Sequence, residues 1–148
     1  MELVEFKKQI HEYFKEHGFE KIKNKYYKNS TSFLCMIDMS RSYFGPEYFF
    51  DYYFFLGEFK KPYVINRSSF DTYTPCITGR LYFTEQESCF CQYAIHNHST
   101  LKRCLDKNFS ELILPPFTYG VKYLSDNFGK IYKTHLDENK IKSILDTL

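Results

Sequence analysis

The segment from Tyr48 to Leu56 constrains the fold most, because any strand that it forms is apolar on both faces. Its even positions are all apolar or aromatic, and its odd positions are aromatic except for Asp51. Alternate residues of a strand point to opposite faces of the sheet. A strand of this kind is either covered on both faces or presents an apolar patch that binds something. The sequence leaves these two alternatives open.

The segments around this strand predict an α+β fold. Apolar residues at three- and four-residue steps predict an N-terminal helix that ends at Gly18. The strands are grouped in the middle of the chain instead of alternating with helices, which favours a single antiparallel sheet of four to five strands. Two to three helices follow it, and the length of 148 residues predicts a single globular domain over residues 1–148. The predicted strands cover 26–28, 33–39, 48–56, 76–84 and 88–95, and the later helices cover 99–114, 116–128 and the residues after 137.

Composition and charge exclude several classes of protein. No apolar run is long enough for a membrane span, and the charged N-terminal segment does not resemble a secretory signal. A net charge of +2 creates no general attraction for nucleic acid or anionic membranes. Five cysteines in a chain without a secretory signal indicate free thiols. We therefore expect a cytoplasmic protein.

Arg80 is the most informative charged residue. It is one of four arginines beside sixteen lysines, and it lies within a predicted strand. Arginine in place of lysine can indicate a two-pronged pairing with a carboxylate. The sequence offers Asp38 and Asp51 as partners in an internal ion pair. A clamp for the anion of a substrate is the alternative.

Two cysteines and two histidines lie close together in the segment from Cys89 to His98. These are ligand types that tetrahedral zinc uses. On one continuous strand, however, Cys89 and Cys91 point to one face and His96 and His98 point to the other. The sequence therefore predicts no metal site here, and it favours buried cysteines that behave as small apolar residues.

A run of lysines follows the first helix. On a single strand, Lys21, Lys23 and Lys25 share one face. Lysines of this kind typically protect an edge strand from pairing with another chain. Together with Tyr26 and Tyr27 they could instead bind single-stranded nucleic acid, which the near-neutral net charge does not favour.

Short motifs across most of the chain suggest a family. They are Glu16-His17-Gly18-Phe19 with Lys21, Lys23 and Tyr27; Met39-Ser40-Arg41-Ser42 with Tyr43 and Gly45; Leu56-Gly57; Cys76-Ile77-Thr78-Gly79-Arg80-Leu81; and Ile113-Leu114-Pro115-Pro116-Phe117. In these the chain resembles the bacterial domain-of-unknown-function family numbered 4304. It differs in carrying Met39 where that family usually has Gln and in having no Trp. The resemblance implies a fold, and by analogy a role like that of small bacterial immunity proteins, which bind toxins.

Three functions remain in competition. The chain lacks a Gly-X-Ser-X-Gly elbow, a Walker A loop and a dinucleotide-binding glycine pattern, and we expect no cofactor. We therefore expect a non-enzymatic protein-interaction module that binds a protein partner or itself. An enzyme that uses Arg80 with strand carboxylates or His96 in a cleft is the second hypothesis, and a nucleic-acid binder is the third. The expected contacts of the interaction module include the long connection 57–75 and the residues Arg41, Tyr43, Phe49, Asp51, Tyr53, Phe55 and Arg80.

Overall fold

The computed structural model of the chain describes residues 1–43, 45–63, 75–83 and 89–148. Within these residues it confirms the predicted α+β fold, with an N-terminal helix, an antiparallel sheet and several C-terminal helices. The strands are β1 (Glu20–Ile22), β2 (Lys25–Asn29), β3 (Phe33–Arg41), β4 (Glu47–Leu56), β5 (Cys76–Arg80) and β6 (Cys91–Gln92). The helices are α1 (Leu3–Glu16), α2 (His98–Asn108), α3 (Pro115–Tyr119), α4 (Val121–Asp126) and α5 (Glu138–Thr147), with a 3₁₀ turn at Tyr93–Ile95 and a π-helical segment at Phe109–Ile113.

The sheet has the order β1-β2-β3-β4-β5, and β6 pairs with the beginning of β4. β1 is an additional strand that the sequence did not predict. It exists because the chain reverses at Lys23, which adopts a φ of 59°, so that Lys21 lies opposite Tyr26. The prediction that Lys21 and Lys25 share one face is therefore wrong. Lys21 lies on the face of Tyr26, and Lys25 lies on the opposite face with Asp38.

Gly18 ends α1 as predicted. Its φ of 86° is the left-handed conformation that glycine adopts at low cost, and Phe19 N–H returns to the carbonyl of Phe14 at 3.0 Å. Lys28 of β2 then donates to the His17 carbonyl at 2.9 Å and lies 4.5 Å from the centroid of the Phe117 ring. The helix end is thereby joined to the sheet and to α3.

One face of the sheet, which we call the helix-facing face, packs against the helices. It carries the even residues of β4, including Phe50, Tyr52 and Phe54, all at most 3% exposed. Phe6 and Phe14 of α1 meet this face, and the same core extends to Leu145 of α5. The helix-facing half of the apolar β4 strand is therefore fully used in folding.

The C-terminal half differs from the prediction at its helix boundaries. Asn97 caps α2, in place of the predicted Ser99, through a reciprocal pair of hydrogen bonds with Thr100. Gly120, with a φ of 83°, divides the predicted 116–128 helix into α3 and α4. No helix among the described residues is long and apolar enough to cross a membrane.

Candidate functional site on the outer face of the sheet

The opposite, outer face of the sheet carries the odd residues of β4 and the even residues of β3. Near its middle, four charged side chains form a row across four strands: Lys25, Asp38, Asp51 and Arg80, each opposite the next in register. Lys25 Nζ lies 3.8 Å from Asp38 Oδ2, and Arg80 Nε lies 2.7 Å from Asp51 Oδ1. The two carboxylates are thus neighbours, and each forms an ion pair with a cation on the side away from the other carboxylate.

Arg80 is held by two contacts. Its Nε donates to Asp51 Oδ1, and its guanidinium carbon lies 4.5 Å from the centroid of the Phe49 ring. The Arg80 side chain is nevertheless 45% exposed, compared with 20% for Asp51. Of the two partners that the sequence offered, Arg80 pairs with Asp51, while Asp38 forms an ion pair with Lys25. The result is a cation fixed in orientation but open to solvent.

Phe90 extends this site. Its ring meets Phe49 edge to face, with centroids 6.0 Å apart and an interplanar angle of 88°, and it is 40% exposed. Phe49 itself is partly buried. We call Phe49, Asp51, Arg80 and Phe90 the outer patch. It combines two aromatic rings with one ion pair at the surface.

The local sequence of β5 explains how Arg80 reaches this position. Gly79 lies directly opposite Tyr52 on the helix-facing face. A Cβ atom on residue 79 would lie 2.5 Å from Tyr52 Cζ, so only glycine leaves room for the ring. The Tyr52 ring covers the glycine, and the next residue, Arg80, points to the outer face.

The other end of the outer face is covered by the chain itself. Phe55 is 0% exposed and stacks on Tyr53 with centroids 5.6 Å apart. Phe59 packs against Phe55, and Tyr63 stacks on Tyr27 at 5.5 Å. Phe55 therefore supports the core and is not available as a binding residue. Of the connection 57–75, residues 64–74 lie outside the described part of the chain.

The remaining expected binding residues lie apart from the outer patch. Arg41 ends β3 and is paired with Tyr48, whose side chain belongs to the helix-facing core. Paired residues share a face, so Arg41 lies on the helix-facing face and not on the outer face. Tyr43 is fully exposed beyond the end of that strand. The structure therefore brings together Phe49, Asp51 and Arg80 from the predicted set.

The Cys and His residues near position 90 do not converge. Because β6 covers only Cys91–Gln92, Cys89 lies outside the strand and is partly buried, whereas Cys91 is buried in the helix-facing core. The predicted strand 88–95, on which the two thiols would share a face, is thus wrong. Burial raises the pKa of Cys91 to about 12 and also raises the pKa of Cys89. Both are therefore protonated thiols at neutral pH.

The two histidines are also separate from the outer patch. His96 Nδ1 lies 3.2 Å from Thr100 Oγ1, and His98 Nε2 lies 3.8 Å from Glu5. No group of three His, Cys, Asp or Glu side chains in the described ranges is arranged to hold a metal ion. The enzyme hypothesis placed His96 with Asp38, Asp51 and Arg80. Only the last three lie together.

Two residues, one that supports the site and one that belongs to it, were not predicted from the sequence. Asn108 is 4% exposed and bonds to both backbone groups of Tyr82, close after Arg80 in the chain. Asn108 lies between Leu105 of α2 and Leu112 of the π-helical segment on one apolar stripe, and this position was a usable signal of a buried amide. Phe90 lies between two cysteines in the sequence. Nothing in its local sequence indicated contact with Phe49.

The chain matches the sequence model of a protein family. The sequence model of the family described as "Domain of unknown function (DUF4304)" matches residues 10–119, which is most of the chain. The chain belongs to this family. The matched region contains the sheet, α2 and α3, while α4 and α5 lie beyond it. No curated protein and no solved structure matches the chain.

The structure explains several residues of the motifs in which the chain resembles DUF4304. Gly18 ends α1, Gly79 makes room for Tyr52, and Pro115 begins α3 at a position where a proline fits. These residues define the fold. Arg80 differs, since its side chain leaves the core and is exposed in the outer patch.

Proposed function

We propose that this protein is a non-enzymatic interaction module that binds a partner protein through the outer patch. The observation that carries the proposal is the placement of Arg80, which is held by Asp51 and Phe49 and remains 45% exposed beside Phe90. Arginine and aromatic residues are enriched in the centres of protein interfaces and dominate their energetics.

The fixed geometry of the outer patch supports this role. Immobilising a flexible side chain on binding costs roughly 0.5–1.5 kcal/mol. Arg80 and Phe49 are already ordered by their mutual contact, and Phe49 is also ordered by Phe90. Much of that cost is therefore met during folding, and the patch is prepared for binding.

The row of four charges favours binding to a different protein over binding to a second copy of this chain. Two copies facing each other about a two-fold axis through the middle of the row would place Asp38 against Asp51 and Lys25 against Arg80. Like charges brought together in an interface suppress association. Binding to a different protein, as in an immunity-type pair, has no such constraint.

Two substitutions on the outer patch test the proposal. Phe90→Ser and Phe49→Thr remove the aromatic surface, and Tyr119→Ser is the matched control, because Tyr119 is 69% exposed and lies on α3. Each tagged variant is expressed in the native host, and its co-purified proteins are quantified by mass spectrometry. We expect one protein that is retained by the wild type and Tyr119→Ser and lost from both outer-patch variants.

Retention of the same proteins by all four forms would contradict the proposal. Thermal unfolding of each variant shows whether it is folded. If Phe49→Thr is destabilised because its ring is partly buried, Phe90→Ser alone decides the outcome, since Phe90 is the more peripheral ring.

A further inference from the structure

The outer patch also indicates the chemistry of its partner, an inference that rests on the proposed function. Arg80 uses only Nε to bind Asp51. Within the described part of the chain, its two terminal nitrogens donate to no protein acceptor. Their N–H groups form a planar fork that matches the two oxygens of a carboxylate.

The contacts of Arg80 make this fork more selective than a free arginine. The Phe49 ring lies against one side of the guanidinium, and Phe90 meets Phe49 nearly at a right angle. Once a partner covers the site, an apolar surface next to the cation keeps water out and strengthens a charge-assisted hydrogen bond. The same surface accepts an apolar side chain that neighbours the carboxylate.

The exposure of the four charged side chains in the row also favours Arg80 as the group that a partner contacts. Lys25, Asp38 and Asp51 are 20–27% exposed, whereas Arg80 is 45% exposed. The inner acidic groups are each already in contact with a cation. A partner that approaches the outer patch therefore meets the positive charge of Arg80 first, and a negatively charged group complements it.

We propose that Arg80 binds a carboxylate of an acidic peptide segment in the partner, and that an apolar side chain of this segment packs on Phe49 and Phe90. The acidic group is a Glu or Asp side chain or a chain terminus. The carboxylate contacts the terminal nitrogens of Arg80, and the Asp51 ion pair keeps the guanidinium in place.

Peptide titration of the ¹⁵N-labelled protein by NMR tests this proposal. The probe is acetyl-Glu-Phe-Glu-amide, and its isosteric control is acetyl-Gln-Phe-Gln-amide. The readouts are the Arg80 Nε–H signal and the backbone amides of Phe49 and Phe90. We expect saturable shifts with the acidic peptide and an affinity at least about fivefold lower for the glutamine peptide, because charge-assisted hydrogen bonds are roughly twice as strong as neutral ones.

Arg80→Lys is the decisive variant, and Arg103→Lys, at an exposed position of α2, is its matched control. Lysine keeps the charge and loses the fork, so we expect Arg80→Lys to weaken acidic-peptide binding and Arg103→Lys to leave it unchanged. Equal shifts with both peptides, or equal affinity in Arg80→Lys and the wild type, would overturn the proposal.

These outcomes separate the two proposals. If Phe90→Ser loses a partner protein but the peptides bind equally, the carboxylate assignment is wrong and the interaction role is retained. If the acidic peptide binds at Arg80 but no co-purified protein depends on Phe90, the outer patch binds acidic peptides and the proposed partner protein is wrong.

Discussion

Replacing Asn108 with leucine tests how the segment after β5 is held in place. Asn108 Oδ1 accepts from Tyr82 N–H at 2.9 Å, and its Nδ2 donates to the carbonyls of Tyr82 at 2.6 Å and Cys104 at 2.8 Å. Leucine fits a similar space on the buried side of α2 but offers no polar atom. The substitution therefore leaves the Tyr82 N–H and carbonyl without their partners while the apolar stripe of α2 remains intact.

The magnitude follows from these lost bonds. A buried polar group without its partner costs about 1–3 kcal/mol. Tyr82 is 42% exposed, so water can reach part of this region, and we expect the loss of both partners to lower the free energy of unfolding by about 2–4 kcal/mol. At roughly 2–4 °C per kcal/mol for a chain of this size, a loss of about 3 kcal/mol lowers the Tm by roughly 6–12 °C.

The assay is urea unfolding followed by circular dichroism, with a thermal scan as a second measurement. Lys107→Leu is the matched control, because it introduces the same side chain at the exposed neighbouring position. We expect the control to stay within about 0.5 kcal/mol of the wild type, as surface substitutions usually do. A value for Asn108→Leu within that same range would refute the structural role assigned to the amide.

Two further predictions concern the core and the pH dependence. Gly79→Ala forces the Tyr52 ring out of its position, and we expect it to lower the free energy of unfolding in urea by about 1–3 kcal/mol; an unchanged value would contradict the close approach. Burial and the neighbouring Met1 ammonium lower the pKa of His96 below its ordinary 6.5, so the unfolded chain binds this proton more readily and stability falls as the pH drops below 6.5. We expect His96→Gln to weaken the dependence of the free energy of unfolding on pH, measured from pH 7 down to the pKa of His96 in the folded protein. The same pH dependence in the variant and the wild type would refute this prediction.

The elements that depend on local pattern were predictable. The apolar spacing of α1 and the stop at Gly18 follow from side-chain periodicity and backbone sterics. The β1–β2 hairpin was not, because Lys23 takes a positive φ that turn rules reserve mainly for Gly, Asn and Asp. Without that turn, the lysine run looks like one continuous strand.

The candidate site was predictable only in its components. Asp51 and Arg80 stood out as charged residues in apolar strands, but the choice between Asp38 and Asp51 depends on the register of β4 with β5. The two apolar faces of β4 could not be distinguished either. Tertiary contacts decide that Phe55 is covered by Phe59 while the Phe49 end carries the exposed ion pair.

Site-specific photo-crosslinking in the native host tests most directly whether the outer patch contacts another protein. A benzophenone amino acid replaces Phe90 in one form and Tyr119 in the other, since both positions are at least 40% exposed, and Phe90 directly precedes β6 whereas Tyr119 lies on α3. We predict a crosslink to one defined protein from position 90 and none to that protein from position 119. Crosslinks to the same proteins from both positions, or none from position 90, would contradict the account.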